Sequence, residues 1–192
     1  MTFTYLQFNF AGYVKVFGHN TAGGLFLSQN DALSKNTENP AAYLFSILNQ
    51  LENYRDKDGN FQFKLCYPEF GQCNVWIQSS NPAEDTTIRG YRSISLSFKT
   101  NGARRAWAGL GKSNHNGKRE TLIDDSPAAR NWHSAIGSYA YWPQKPKIPG
   151  PIGVPPGNKG INVVNLYVKY GKLDGGRAFG GLLILELSLL PM

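Results

Sequence analysis

The sequence contains only two cysteines, and no apolar run approaches the ~20 residues of a membrane-spanning helix. Acidic residues are also missing from two stretches: residues 99–119 and 126–173 each hold six Lys or Arg and no carboxylate. Residues 1–98 carry seven basic and eight acidic side chains, whereas residues 99–192 carry thirteen and five, so the C-terminal half accounts for the whole formal charge of +7. Charge of one sign on a folded surface attracts polyanions.

Signals for export and for catalysis are absent as well. The first sixteen residues look like a strand and lack the basic and apolar regions of a signal peptide, so we expect either non-standard export or a processed chain. The histidines, His19, His115 and His133, lie in separate segments without metal-ligand spacing, and no motif supplies a nucleophile. We predict structural roles for His19 and His133, and no catalytic residue, metal site or cofactor.

The two cysteines, Cys66 and Cys73, flank a turn in CYPEFGQC. If the flanking strands pair as a hairpin, the two sulfurs can meet in a disulfide across a short loop, as in many extracellular proteins. The alternative is two thiols that never meet. Two cysteines without a nearby histidine do not indicate a zinc site.

The abundance of Gly, Pro and aromatic residues predicts short strands joined by turns. We predict a mainly β fold for residues 1–170: an antiparallel, jelly-roll-like β-sandwich with one packed helix and long Gly/Pro loops. An α+β, fibrinogen-like arrangement is the alternative. Period-two alternation predicts strands with one buried face. The alternating residues are Leu6, Phe8 and Phe10; Phe61, Phe63 and Leu65; Val75 and Ile77; and Ile94, Leu96 and Phe98. A late candidate strand contains Val163, Leu166 and Val168.

The predicted helix covers Pro40–Tyr54, where Leu44, Ile47, Leu48 and Leu51 have helical spacing and Asn39 can cap the first turn.

Residues 171–192 form a predicted extension that ends in an apolar strand, Leu182–Leu190. This strand is either central to the domain's own sheet or an assembly strand that docks on a neighbouring molecule. Its regular face consists of Leu183, Leu185, Leu187 and Leu189.

Residues 106–113, AWAGLGKS, fit a relaxed phosphate-loop pattern, but the polar continuation cannot propagate a helix, so nucleotide hydrolysis is not favoured. We interpret the segment as an exposed turn within a basic loop. With Trp107, this loop can grip sulfated or uronic glycan, phosphate or silica, although a merely solvated face is the alternative. No nucleic-acid reader motif is present. The candidate polyanion-binding residues are Arg104, Arg105, Lys112, Lys118 and Arg119, and His115 belongs to the same loop.

Two further patterns have alternative interpretations. Asp124 and Asp125 can contribute to a calcium site, although turn capping through Asp125 and Ser126 is favoured. Trp76, Trp132 and Trp142 are either core residues or platforms on which sugars stack, and a core role is favoured for Trp132.

Several phrases along residues 12–170 combine into a recognisable pattern, among them HNTAGGLF (19–26), DALSKNTENP (31–40), WIQSSNP (76–82), LIDDSP (122–127) and NWHSAIG (131–137). The pattern resembles a domain of extracellular, often multidomain proteins of marine invertebrates, including cnidarians and sponges. The resemblance implies a β-rich matrix, adhesion or recognition module. A stand-alone, basic module of this type with an apolar terminal strand is, in addition, similar to the silintaphins, which accompany silicatein in sponge silica filaments.

These observations together predict a non-enzymatic scaffold protein of an extracellular or biomineral matrix. Its expected partners are an acidic protein, silicatein included, or an anionic polymer such as silica or an acidic glycan, and it is expected to assemble with itself or a partner. The alternative is a lectin-like module that binds carbohydrate.

Overall fold

The computed structural model describes residues 12–97, 107–113, 121–124, 135–139 and 162–170. Short antiparallel strands make up most of this part of the chain. They are β1 (Tyr13–Asn20), β2 (Ser34–Lys35), β3 (Leu44–Ile47), β4 (Phe61–Tyr67), β5 (Gln72–Gln78), β6 (Arg92–Leu96), β7 (Gly111–Lys112), β8 (Thr121–Asp124), β9 (Ala135–Ser138) and β10 (Val163–Lys169).

The strands form two sheets. Seven lie in the order β2-β3-β1-β10-β4-β5-β6, and β7, β8 and β9 form the second sheet. Apolar residues of both sheets, including Phe17, Trp76 and Ile123, belong to one buried cluster. The predicted mainly β, sandwich-like fold is therefore confirmed, with the strands divided seven and three.

Strand β4 has the predicted alternation, because Phe61, Phe63 and Leu65 are all fully buried. Their rings and side chains face the core while the residues between them are partly exposed. Leu166 and Val168 of β10 are buried in the same way. The strand predictions for these two segments are confirmed.

Strands β5 and β6 exist, but the predicted buried faces are wrong. In β5 the core side chain is Trp76, whereas Val75 and Ile77 are only partly buried. The face of β5 that carries Trp76 packs on the core because the indole buries more apolar area than Val75 or Ile77 would. In β6 the pairing shifts between Val75 and Trp76, which leaves Ile94 as the extra residue of a bulge on an edge strand. Ile94 is 49% exposed.

The helix predicted over Pro40–Tyr54 is confirmed only at its C-terminal end and only as a 3₁₀ helix. Leu44–Ile47 form β3, and a 3₁₀ helix follows at Leu48–Tyr54. All four residues of β3 are buried between β1 and β2, and the Ser46 hydroxyl donates to Ala32 O at 2.6 Å. Pairing with β1 therefore overrides the local helical spacing. Asn39 accepts from Ala41 N in a turn and begins no helix.

A short α-helix, α1, lies at Gln29–Leu33 and is capped by Ser28, whose side chain accepts from Asp31 N. Further 3₁₀ turns are found at Thr21–Gly23 and Pro68–Phe70. No helix within the described ranges is long and apolar enough to cross a bilayer. Several predictions concern residues outside these ranges, namely the strand at Leu6–Phe10, Trp132, Trp142 and the strand at Leu182–Leu190.

Candidate polyanion-binding site

Trp107 does not lie on a basic surface loop, contrary to the prediction. Its side chain is 7% exposed, and its ring meets the Trp76 ring edge-on with 5.0 Å between centroids. Gly109, Leu110 and Gly111 are buried as well. Trp107 therefore contributes to the core and is not available to stack on a bound polymer.

The buried amide of Gln78 explains why this glycine-rich segment enters the core. Gln78 Oε1 accepts from Trp76 Nε1 at 2.7 Å and from Leu110 N at 3.1 Å. Gln78 Nε2 donates to Leu110 O and to Ser80 O, both at 2.9 Å. The side chain thus satisfies both backbone polar groups of Leu110, as a neighbouring strand would.

Lys112 is the described member of the predicted basic set. It lies on β7, its backbone N–H donates to Asp85 O at 2.7 Å, and its side chain is partly exposed. The other four predicted polyanion-binding residues lie outside the described residues: Arg104, Arg105, Lys118 and Arg119.

The positive charge of the chain is concentrated outside the described residues. The described part contains nine Lys or Arg and nine Asp or Glu, so its formal charge is zero. The +7 comes from three connecting segments: residues 98–106 and 140–161 each have a net charge of +3, and residues 114–120 have +1. We call these the cationic segments.

A disulfide closes the turn between β4 and β5. Cys66 and Cys73 pair directly across the two strands and are bonded, which decides between the two alternatives raised by the sequence. The 3₁₀ turn Pro68–Phe70 lies inside this loop, and Gly71 ends it with a φ of 61°. We call residues 66–73 the disulfide tip.

Glu69 connects the disulfide tip to the start of β10. Its Oε2 accepts from Asn162 N at 2.6 Å and from Val163 N at 3.3 Å, and its Oε1 accepts from Asn162 Nδ2 at 3.0 Å. Charge-assisted bonds of this kind are stronger than neutral ones. Glu69 thus holds Asn162, the described residue that directly follows the cationic segment 140–161 in the sequence.

The other cationic segments adjoin described residues that are linked to the same tip. Ser97, which precedes segment 98–106, donates its N–H to Cys73 O at 3.2 Å. Asn162 also bonds to Thr21, because its backbone O accepts from Thr21 N. Five residues further along the chain, Phe26 N donates to Ser138 O at 3.1 Å. Ser138 pairs with Thr121, the residue after segment 114–120. Ser97 and Asn162, each a described neighbour of one cationic segment, are thus hydrogen-bonded to the disulfide tip, whereas Thr121 is connected to it only through strand pairing and the covalent chain Thr21–Phe26.

His19 has the structural role predicted for it. The imidazole is 1% exposed, lies edge-on to the Phe26 ring, and donates from Nε2 to Gly24 O at 2.8 Å. Burial lowers the pKa of His19, and the bond to Gly24 only partly opposes that shift. His115 and His133 lie outside the described residues.

Within the described ranges, no three His, Cys, Asp or Glu side chains gather as metal ligands do. Asp124 of the suggested calcium pair is 3% exposed on β8. Asp125 lies outside the described residues, as do Leu183, Leu185, Leu187 and Leu189 of the suggested assembly strand.

Two residues with structural importance, Glu69 and Gln78, were not predicted from the sequence. Glu69 bonds to Asn162 and Val163, which follow it by 93 and 94 positions in the sequence. No local sequence pattern predicts such a distant contact. Gln78 had a detectable signal, because it lies two residues after Trp76 and therefore on the same face of the strand. A polar residue in register with a large core side chain indicates a buried hydrogen-bond network.

Comparison with known proteins gives no match: no family model, no curated protein and no solved structure matches the chain.

Proposed function

We propose that this protein is a non-enzymatic module of an extracellular or biomineral matrix that binds an oxyanion-bearing polymer through its cationic segments. The observation that supports it best is the separation of charge. The described fold is formally neutral, while the three cationic segments carry the full +7. The disulfide is a second, weaker support, since such bonds persist in oxidising compartments.

The chemistry of the cationic segments suits such a polymer. Guanidinium groups match sulfate, carboxylate and silanolate oxygens with paired donors, and Lys adds point charges. Segment 98–106 includes Arg104 and Arg105, and segment 114–120 includes Lys118 and Arg119. A sulfated glycan and hydrated silica share this anionic surface chemistry, so both are candidate ligands.

Charge reversal tests the proposal. We expect the triple variant Arg104→Glu, Arg105→Glu and Arg119→Glu to lose binding to heparin and to colloidal silica. A matched control reverses three exposed charges of the neutral part, Lys57, Arg92 and Lys169, and has the same net charge. It should keep most of the binding. Equal losses in both variants would show that only total charge matters and would reject a localised site, while the heparin and silica arms separate the two ligand sources.

Self-assembly is the second element of the proposal and depends on Leu182–Leu190. Deleting residues 171–192 should leave a folded monomer that no longer assembles, as measured by light scattering and circular dichroism. Loss of folding would instead assign this strand to the domain's own sheet.

Two exposed aromatic rings favour a lectin-like module as a second candidate. Tyr43 is 59% exposed and Phe70 is 44% exposed. Phe70 belongs to the disulfide tip, and Tyr43 O accepts from Asn20 N immediately before the Thr21–Gly23 turn. Trp76 and Trp107, by contrast, are core residues and cannot stack on sugars. Neutral-glycan binding that is lost in Tyr43→Ala and Phe70→Ala would favour this candidate.

A further inference from the structure

The described strands present four sheet edges, and three of them are short or already bonded. Strand β2 is only two residues long. At the β7 edge, Lys112 N donates to Asp85 O at 2.7 Å, and at the β9 edge Ser138 O accepts from Phe26 N at 3.1 Å. Loops thus bond to the backbone at both edges of the smaller sheet, which protects these edges from pairing with another chain. The fourth edge is β6.

Strand β6 is the longest and the most exposed of these edge strands. It has five residues and, within the described part of the chain, pairs with β5 alone. Residues 92–95 are all exposed, and Ile94 is 49% exposed. Residues 93–96 include no proline and no charged side chain, which are the residues that commonly keep an edge from pairing. An exposed apolar edge of this kind is a template for a further strand.

We propose that β6 is a self-association edge, which pairs antiparallel with β6 of a second copy of this chain across a two-fold axis at Ile94. The inference goes beyond the proposed function, because it requires neither the cationic segments nor residues 182–190. A second β6 is favoured over the other edge of the large sheet, because β2 offers only two residues to pair. Pairing of β6 with β6 also closes into a symmetric dimer, whereas pairing of β6 with β2 would continue into a filament.

The sequence of β6, RSISL, is self-complementary in this register. With the axis at Ile94, the two Ile94 side chains lie opposite each other and Ser93 lies opposite Ser95, and such apolar and hydroxyl pairs are favourable between strands. Arg92 lies opposite Leu96. The two Arg92 residues are therefore about 14 Å apart along the pair, which exceeds the Debye length of about 8 Å at physiological salt. A parallel pair would instead place Arg92 directly opposite Arg92, which is unfavourable.

The dimer is expected to be weak for two reasons. A pair of five-residue strands, about 17 Å long, buries less surface than the ~1,600 Å² of a standard stable interface. The bulge at Ile94 also interrupts the regular ladder. We therefore expect a dissociation constant on the order of 10–100 µM. Because each copy has a formal charge of +7, added salt should strengthen the dimer, whereas it weakens binding to a polyanion.

Sedimentation equilibrium of the whole protein tests the inference, at concentrations from about 5 to about 500 µM that bracket this constant. We expect a monomer–dimer equilibrium that Ile94→Lys weakens at least about tenfold, because the substitution places two like charges opposite each other at the axis. The matched control is Leu27→Lys, because Leu27 is 83% exposed, lies outside the described strands and gives the same net charge. It should dimerise as wild type does. A monomeric wild type, or equal dimerisation of the two variants, would overturn the inference.

The register is tested separately by cysteine substitution, since both native cysteines are already bonded to each other. Cys66 and Cys73 themselves show that residues directly opposite in an antiparallel pair can form a disulfide. Under mild oxidation, Ile94→Cys should therefore link to itself. Ser93→Cys and Ser95→Cys should link to each other in a mixture but not to themselves. Two results would reject the two-fold pairing: no linking of Ile94→Cys, or self-linking of Ser93→Cys as fast as that of Ile94→Cys.

The outcome is independent of polyanion binding, so heparin and silica binding is measured on the same preparations. A dimer that binds neither heparin nor silica would reject the proposed function and leave the inference standing. A monomer that binds them would reject the inference alone.

Discussion

Each end of the β4–β5 pair holds a segment from elsewhere in the sequence, but the two ends do so with different side-chain chemistry. At one end, buried Gln78 holds the backbone of Leu110 through a neutral amide. At the other, exposed Glu69 holds the backbone of Asn162 through a carboxylate inside a disulfide loop. In each case a side chain attaches a segment from elsewhere in the sequence to the large sheet.

The two ends differ in whether water can take over the hydrogen bonds when the side chain is removed. If Gln78 is removed, the polar groups that it bonds remain buried without a partner, which lowers the free energy of unfolding. If Glu69 is lost, water bonds to the exposed Asn162 instead. The buried end therefore contributes more to the stability of the fold than the exposed end does. Substitutions of Gln78 should therefore destabilise the protein more than substitutions of Glu69 do.

The largest expected effect is that of Gln78→Ala. The substitution leaves Trp76 Nε1–H and both backbone groups of Leu110 without their partner, so it should lower the free energy of unfolding by about 3–5 kcal/mol. Urea unfolding followed by tryptophan fluorescence measures this. The matched control is Gln72→Ala, an exposed position on the same strand, with an expected change within about 0.5 kcal/mol. A loss of under about 1 kcal/mol for Gln78→Ala would contradict a buried network that holds the segment.

A smaller effect is expected for Gly109→Ala. Gly109 has a φ of 94°, and an added Cβ would lie 2.8 Å from Gln78 Oε1. Gly59 provides a control, because its φ is 78° but nothing lies within 4 Å of an added Cβ. Both variants should lose about 1 kcal/mol to the left-handed backbone. Gly109→Ala should lose about 1–2 kcal/mol more by crowding the Gln78 amide. Equal losses in thermal unfolding would show that the two surroundings do not differ.

The smallest effect concerns pH. An unfolded imidazole has a pKa near 6.5, and burial lowers the pKa of His19 in the folded protein. Above about pH 6.5 the imidazole is neutral in both states and stability is unaffected. As the pH falls below that value, the unfolded state takes up the proton first, and stability declines by at most about 1.4 kcal/mol per pH unit.

The His19→Gln variant should remove this part of the decline. Glutamine keeps an amide donor for Gly24 O and does not titrate. Urea midpoints measured from pH 7 to pH 5 should therefore fall less steeply in the variant than in wild type. Parallel curves would mean that His19 does not titrate in this window.

The local sequence pattern was sufficient to predict an element where neighbouring residues in the sequence decide which side chains are buried. The alternation of Phe61, Phe63 and Leu65 predicted β4, and the cysteine spacing allowed the disulfide. It was insufficient where a distant partner decides. Leu44–Ile47 have helical spacing but pair with β1, and the glycine-rich segment from Trp107 resembles a surface turn until the Gln78 amide bonds its backbone.

The same reason explains what could be predicted of the candidate site. Composition alone located the positive charge in the C-terminal half, because net charge requires no knowledge of contacts. Composition could not show that Glu69, in the acidic half, bonds to Asn162 at the end of a cationic segment. That contact depends on β4 and β10 being neighbours in the sheet, and strand order is set by tertiary packing.

The most direct test of the account is the salt dependence of heparin binding by the oxidised protein of 192 residues. If the cationic segments form the binding surface, each contact releases a counterion from the polymer, and the logarithm of the affinity should fall linearly with the logarithm of salt concentration. The predicted slope is steep, at about −3 or beyond, because several of the seven excess charges take part. An affinity that does not change between about 50 and 300 mM salt would contradict the account, since contacts between exposed charges are screened over that range.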